Sequence, residues 1–313
     1  MRHPARLRTA LGLAGVILAA NCSAPLDEVW QLSGYRVLGV KNEPAEVNPG
    51  DSFSLTLASA DNTAREVTTV WFLCDHRVSA LAASGGTSLF SICPGASHLD
   101  MGPVAQHFTA PPAGGGSLDT MGREEFTVIG YSCAGGSIGL PNSASGGLPR
   151  CVGTNASGTM FLRSIYERTP TALNPPNQNP AISDVRFGEP DSMSSLSPTA
   201  PIAVPRCADQ TNHTGCTHWQ FSVLFGDGSR EAYREPDPLS GAIVNHQERL
   251  TIEFLISGGS LAGGFRSDSQ DTPASPMTND WWAPDHPGPV DVWFYGNDGR
   301  GGFDFTVRHL TVQ

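Results

Sequence analysis

The sequence predicts an all-β chain of two antiparallel β-sandwiches in tandem, behind an N-terminal export signal. Three observations carry this. Apolar and polar residues alternate at period two in run after run, the mark of half-buried strands. Gly and Pro make up about a fifth of the 313 residues, against a usual share of about 12%. The two halves of the chain repeat one order of strand and turn signals. Charged residues are only 16%, which excludes coiled coils and long helical bundles. The 14 Phe and 6 Trp argue against wholesale disorder.

Residues 1–21 read as the signal. Arg2, Arg6 and Arg8 give a positive start, and Ala10–Ala20 is an apolar run. That run is too short to cross ~30 Å of hydrocarbon at about 1.5 Å per residue. Its end, Leu18-Ala19-Ala20-Asn21-Cys22, resembles the bacterial lipobox, which implies that Cys22 is acylated and becomes the new N-terminus. Ordinary cleavage near Ala20 is the alternative. Two or more acyl chains suffice for stable attachment without further membrane contact. With Ser23 after the cysteine, the expected place is the cell envelope, on the outer membrane, facing the periplasm or the surface. Residues 22–34 form a tether.

The net charge is −11, and without Arg2, Arg6 and Arg8 the chain keeps 16 basic against 30 acidic residues. Such a chain lacks the electrostatic footprint for nucleic acid or anionic lipid. Of seven cysteines, assigning Cys22 to lipid leaves six. An even set in an exported protein reads as disulfides, with about 15 pairings open. Sequence proximity favours Cys74–Cys93, Cys133–Cys151 and Cys207–Cys216.

A first unit runs over 35–168 and a second over 181–313. Between them, 169–180 holds four prolines and three asparagines, a composition that predicts a stiff spacer. Phe53, Leu55 and Leu57 alternate with Ser52, Ser54 and Thr56. Leu250, Ile252, Phe254 and Ile256 alternate with Thr251 and Glu253, with Leu255 the exception. Val290, Val292 and Phe294 alternate with Asp291, Trp293 and Tyr295. Pro49-Gly50, Asp227-Gly228 and Asp298-Gly299 mark turns. A short helix is expected at Arg77–Ala83. The internal correspondence sets Val67–Leu73 against Leu250–Ile256, and Phe108-Thr109-Ala110-Pro111 against Trp281-Trp282-Ala283-Pro284. It also sets Phe126–Tyr131 against Val290–Tyr295, and Thr159–Ile165 against Phe303–Leu310. This order suggests a duplicated sandwich.

Ala283-Pro284 followed by Asp298-Gly299-Arg300-Gly301-Gly302 and a closing strand resembles bacterial Ig-like domains of the PKD and cadherin-like kind. The whole chain is similar to predicted lipoproteins of myxobacterial-type genomes. That similarity rests on Tyr35–Val40, Glu43-Pro44, Val70-Trp71-x-x-Cys74, Asn177–Pro180, Pro205-Arg206-Cys207 and Trp282-Ala283-Pro284. The resemblance implies architecture and carries no activity.

Chemical motifs are sparse. Gly135-Gly136-Ser137-Ile138-Gly139 lacks the helix that a nucleophile elbow needs and reads as a flexible loop. Cys207, His213, Cys216 and His218, or Cys74, His76, Cys93 and His98, have zinc-ligand types, but export favours disulfides. Asp268, Asp271, Asp285, Asp291, Asp298 and Asp304 raise calcium, without an Asp-x-Asp-x-Asp loop. The aromatics Trp281, Trp293 and Tyr295, beside Asp291, are the best binding candidates, since outward-facing rings could stack on a sugar or anchor a protein. The expectation is a lipid-anchored, non-catalytic binding, adhesion or scaffolding protein without a cofactor. Its partners are the membrane, through Cys22, and a protein or glycan. A carbohydrate- or calcium-dependent recognition module is the alternative, and a secreted hydrolase a more distant one.

Overall fold

The computed structural model describes residues 30–74, 93, 99–102, 105–112, 118–141, 147–268 and 276–313. Every regular element among the described residues is a β-strand. The helix expected at Arg77–Ala83 lies outside them.

In the N-terminal half, one sheet orders β1 (Tyr35–Glu43), β3 (Ser52–Asp61) and β6 (Ala105–Thr109). The facing sheet orders β2 (Glu46–Val47), β10 (Ser157–Arg168), β7 (Arg123–Ala134), β4 (Val67–Cys74) and β5 (Leu99–Gly102). A separate hairpin joins β8 (Ser137–Gly139) to β9 (Arg150–Val152).

The C-terminal half repeats this plan. One sheet orders β12 (Ser194–Ser195), β11 (Ile182–Gly188), β14 (Trp219–Phe225), β20 (Met277–Trp282) and β18 (Ser260–Leu261). The other orders β13 (Ile202–Val204), β22 (Phe303–Val312), β21 (Gly288–Asn297), β17 (Thr251–Ile256) and β19 (Phe265–Ser267). A hairpin of β15 (Ala232–Pro236) and β16 (Ile243–Gln247) stands apart. In each half the chain first pairs antiparallel in one sheet, then crosses to run parallel to the closing strand, as β2 on β10 and β13 on β22. The strands matched by sequence, β4 with β17, β7 with β21 and β10 with β22, hold the same places in their sheets.

The alternating side chains fill the space between sheets. Phe53, Leu55 and Leu57 of β3 meet Trp71, Phe126, Val128 and Ile165 across the N-terminal core. In the C-terminal core Ile252, Phe254 and Ile256 of β17 join Val290, Val292 and Phe294 of β21. Phe254 pairs in register with Phe294, their rings edge-on at 5.5 Å. Each fully buried aromatic or aliphatic side chain contributes roughly 1.5–3 kcal/mol.

The segment 169–180 does not act as a spacer. It is packed between the halves, because its asparagines hydrogen-bond to both. Asn177 is 1% exposed; its backbone N–H donates to Glu46 Oε2 at 3.0 Å and its Nδ2 to Asp298 Oδ2 at 2.9 Å. Asn179 Nδ2 donates to the Asn42 carbonyl at 2.7 Å, while its Oδ1 accepts the Phe303 N–H at 2.9 Å. Asn174 exchanges two hydrogen bonds with the Arg234 backbone, at 2.8 and 2.6 Å.

Between the halves lies a buried chain of charges. Arg123 Nη1 donates to Glu46 Oε1 at 2.6 Å and to the Arg300 carbonyl at 3.2 Å. Arg300, from the β21–β22 turn, donates to Glu248 Oε1 at 2.8 Å and lies 3.8 Å from Glu46. Each guanidinium also lies over a tyrosine, Arg123 over Tyr166 at 4.0 Å and Arg300 over Tyr233 at 4.9 Å. Asp298 holds the turn by accepting from the Arg300 and Gly302 N–H groups at 2.7 and 2.9 Å. Gly301, at φ 111°, allows the close approach of Tyr166: a Cβ there would lie 2.8 Å from the ring.

Removing one partner of a buried ion pair leaves the other buried without it, at a cost of about 3–5 kcal/mol. Arg300→Ala is therefore expected to lower the unfolding free energy by about that much in urea titration. A change below about 1 kcal/mol, the range of exposed pairs, would contradict the network.

Candidate functional site

The structure separates the aromatics expected to form one binding face. Trp281 points into the C-terminal core, 0% exposed, and its Nε1 donates to the Gly258 carbonyl at 3.1 Å. Trp293 points outward from its sheet as expected, yet is only 8% exposed, because Leu32 and Ala60 cover it beside Leu255. The β1–β3 ribbon of the N-terminal half lies across this face. Asp291 pairs with His309 at 2.7 Å, both partly exposed. Of the expected set, Tyr295 lines an open cleft and Trp293 a separate, smaller cavity, so the four residues do not make one site.

That cleft has a volume of about 420 Å³, within the usual range for small-molecule sites of roughly 300–1,000 Å³. Its floor is the outer face of β17 and β21, with Glu253, Leu255 and Tyr295. Arg36, Val37 and Leu38 of β1, together with Trp30 and Phe265, line the rest of it. Phe265 is 61% exposed. The Tyr295 hydroxyl donates to Glu253 Oε2. Burial, then this bond to a carboxylate, raises the Tyr295 pKa, so the phenol stays protonated.

Trp30 is placed by its backbone. Its carbonyl accepts the Ile256 N–H at 2.9 Å, and Leu32 N–H donates to the Ile256 carbonyl at 2.9 Å. Residues 30–32, expected to be tether, thus extend the edge of β17 beyond β19. An unpaired strand edge is a liability that such a segment covers.

The other expectations divide by chemistry. Cys74–Cys93, Cys133–Cys151 and Cys207–Cys216 are joined as disulfides. Their sulfurs are therefore not thiolates, which removes both zinc sets. His213 stacks on Trp282 instead, ring centroids 4.0 Å apart. His218 pairs with Asp280 at 3.1 Å. His76, His98, Asp271 and Cys22 lie outside the described residues. The aspartates raised for calcium are dispersed: Asp298 holds its turn, Asp304 pairs with Lys41 at 3.0 Å, and Asp285 with His286 at 2.9 Å. Among the described residues no group of three or more His, Cys, Asp or Glu is placed to share a metal ion. Ser137 sits on β8, paired with Val152, so it belongs to a hairpin and not to a loop or a strand–helix elbow.

Two buried glutamates titrate near neutrality. Burial, reinforced by the Glu124 charge, pushes the Glu167 carboxyl up from 4.5 to about 7. Burial does the same for Glu248, to about 7, against hydrogen bonds from the Glu231 N–H and Arg300. A carboxyl with a raised folded pKa binds its proton more tightly when folded. Its contribution to stability is full below the unfolded pKa and is lost as pH rises through about 7. The melting temperature should therefore fall between about pH 5 and pH 8. Glu167→Gln should flatten that slope and stabilise the protein at the upper pH by about 1–2 kcal/mol. An unchanged slope in thermal melts of the variant would contradict the assignment.

A scan against protein-family models returns no match for this chain. A search of curated proteins finds no significant similarity.

Proposed function

We propose that this chain is a lipid-anchored envelope protein that works by binding or scaffolding, and that each half is an Ig-like β-sandwich. The Ig-like reading is supported by the recurrent crossing of the first strand between sheets, parallel to the last. One observation carries the rest. Six of the seven cysteines are engaged in three disulfides, which leaves Cys22 as the odd one. Disulfides persist in oxidising compartments, and an unpaired cysteine directly after an export signal is the residue to which lipid would be attached.

The halves suit a display role. Disulfides staple the loops of each half, with separations of 19, 18 and 9 residues. The buried charges fix one half against the other, so a surface presented by both keeps its geometry. Binding to a protein or glycan partner is consistent with the cleft between β1 and β17.

Intact mass spectrometry of the native membrane-extracted protein tests this. The expected chain begins at Cys22 and carries a diacylglycerol mass, with six cysteines alkylated only after reduction. A chain that begins elsewhere without lipid would overturn the anchor. Alkylation of any of the six without reduction would overturn the disulfide assignment.

A further inference from the structure

We infer that the outer edge of β16 is a pairing surface for a second copy of this chain, the two β16 strands meeting antiparallel about Asn245. This pairing requires neither the binding role nor the lipid anchor proposed above. The β15–β16 hairpin belongs to neither sandwich, so each of its strands has one neighbour. Its hydrogen bonds fix which backbone groups face out. The Asp237 N–H donates to the Ala242 carbonyl and the Glu248 N–H to the Glu231 carbonyl. Bonded and non-bonded pairs alternate along an antiparallel ladder, so Tyr233 with His246 and Glu235 with Val244 are the bonded pairs between. Ile243, Asn245 and Gln247 therefore direct their N–H and C=O groups away from β15.

The two edges of the hairpin differ. On β15 the Asn174 side chain takes both outward groups of Arg234, and Pro236 has no N–H to offer. On β16, among the described residues, nothing meets the outward groups of Ile243, Asn245 and Gln247. Ile243 is 50% exposed and Asn245 is exposed as well. Proteins guard a free edge against its own kind with Lys, Pro or other charged residues. β16 reads Ile-Val-Asn-His-Gln and has none of them. His246 is held within the hairpin, stacked on Tyr233 and 3.3 Å from Glu235.

Charge selects the occupant. The net charge of −11 opposes association over most of the surface, whereas two β16 edges meet without Asp, Glu, Lys or Arg. Centred on Asn245, the pairing sets Asn245 against Asn245 of the other copy, Ile243 against Gln247 and Val244 against His246. All outward groups of both edges are then bonded, and two hairpins become one continuous sheet. An edge of five residues buries less than the roughly 1,000 Å² of a lasting interface, so the dimer is a weak one.

Sedimentation velocity of the mature, disulfide-intact chain tests this, with Cys22→Ser to prevent a disulfide between copies. The weight-average mass should rise towards the dimer between about 10 μM and about 1 mM. Asn245→Pro removes an outward N–H and spares the β15–β16 bonds, a place where an edge strand tolerates proline. Asn245→Lys sets like charges face to face. Each should weaken association by about tenfold or more. Leu239→Ser, at the hairpin tip and 96% exposed in the parent, should associate as the parent does. A dimer undiminished by both Asn245 variants, or abolished by Leu239→Ser, would overturn the inference. So would a parent still monomeric at about 1 mM, which would leave the edge to an extended peptide of another protein.

Discussion

The contact on which the rest of the structure depends is the Arg300 guanidinium, buried between Glu248 of its own half and Glu46 of the other. Glu46 is shared with Arg123 at 2.6 Å and with the Asn177 backbone at 3.0 Å. One glutamate therefore ties β2, β7, the connecting segment and the β21–β22 turn to a single point. Buried ion pairs are poor sources of net stability, since desolvation consumes much of the attraction. What they penalise is misplacement. A half rotated or shifted by a few ångströms would leave full charges buried without partners, so the arrangement is specified more strongly than it is stabilised.

With that arrangement fixed, the apolar contacts beside it follow. The β1–β3 ribbon comes to rest on the outer face of the second half, where Leu32, Leu38 and Ala60 cover Trp293, Leu255 and Val307. Gly39 faces Phe303 at the same contact, and a Cβ there would lie 2.6 Å from the ring. The ribbon covers only part of the face. The remainder, between Tyr295 and Phe265, is the cleft. The cleft is thus a product of how the halves meet, and neither half alone contains all of it.

Much of the fold was legible in the sequence because period-two alternation reports directly on which side of a sheet is buried. Phe254 and Phe294 lie in the core for that reason. The cysteine pairs followed from proximity along the chain. What was not legible was contact between the halves. Asn174 and Asn177 sit in a Pro-rich stretch whose composition ordinarily means solvent, and nothing local marks them as buried. Arg300 stands in a Gly-rich turn where a charge is unremarkable. A signal did exist on the sheet face: Leu255 breaks the alternation of β17, and Trp293 and Val307 repeat the break on neighbouring strands. Three outward apolar residues side by side mean a covered face, and Trp293 is buried there while Tyr295, beyond the cover, lines the cleft. Cys22 lies outside the described residues, and its role rests on the sequence.

The most direct test of the central claim is scanning calorimetry of the mature, disulfide-intact chain. If the buried charges join the halves as argued, both unfold in one transition, with calorimetric and van't Hoff enthalpies equal. Two resolved transitions, each with the enthalpy of about half the chain, would show that the halves unfold independently and that the charges between them do not couple the two.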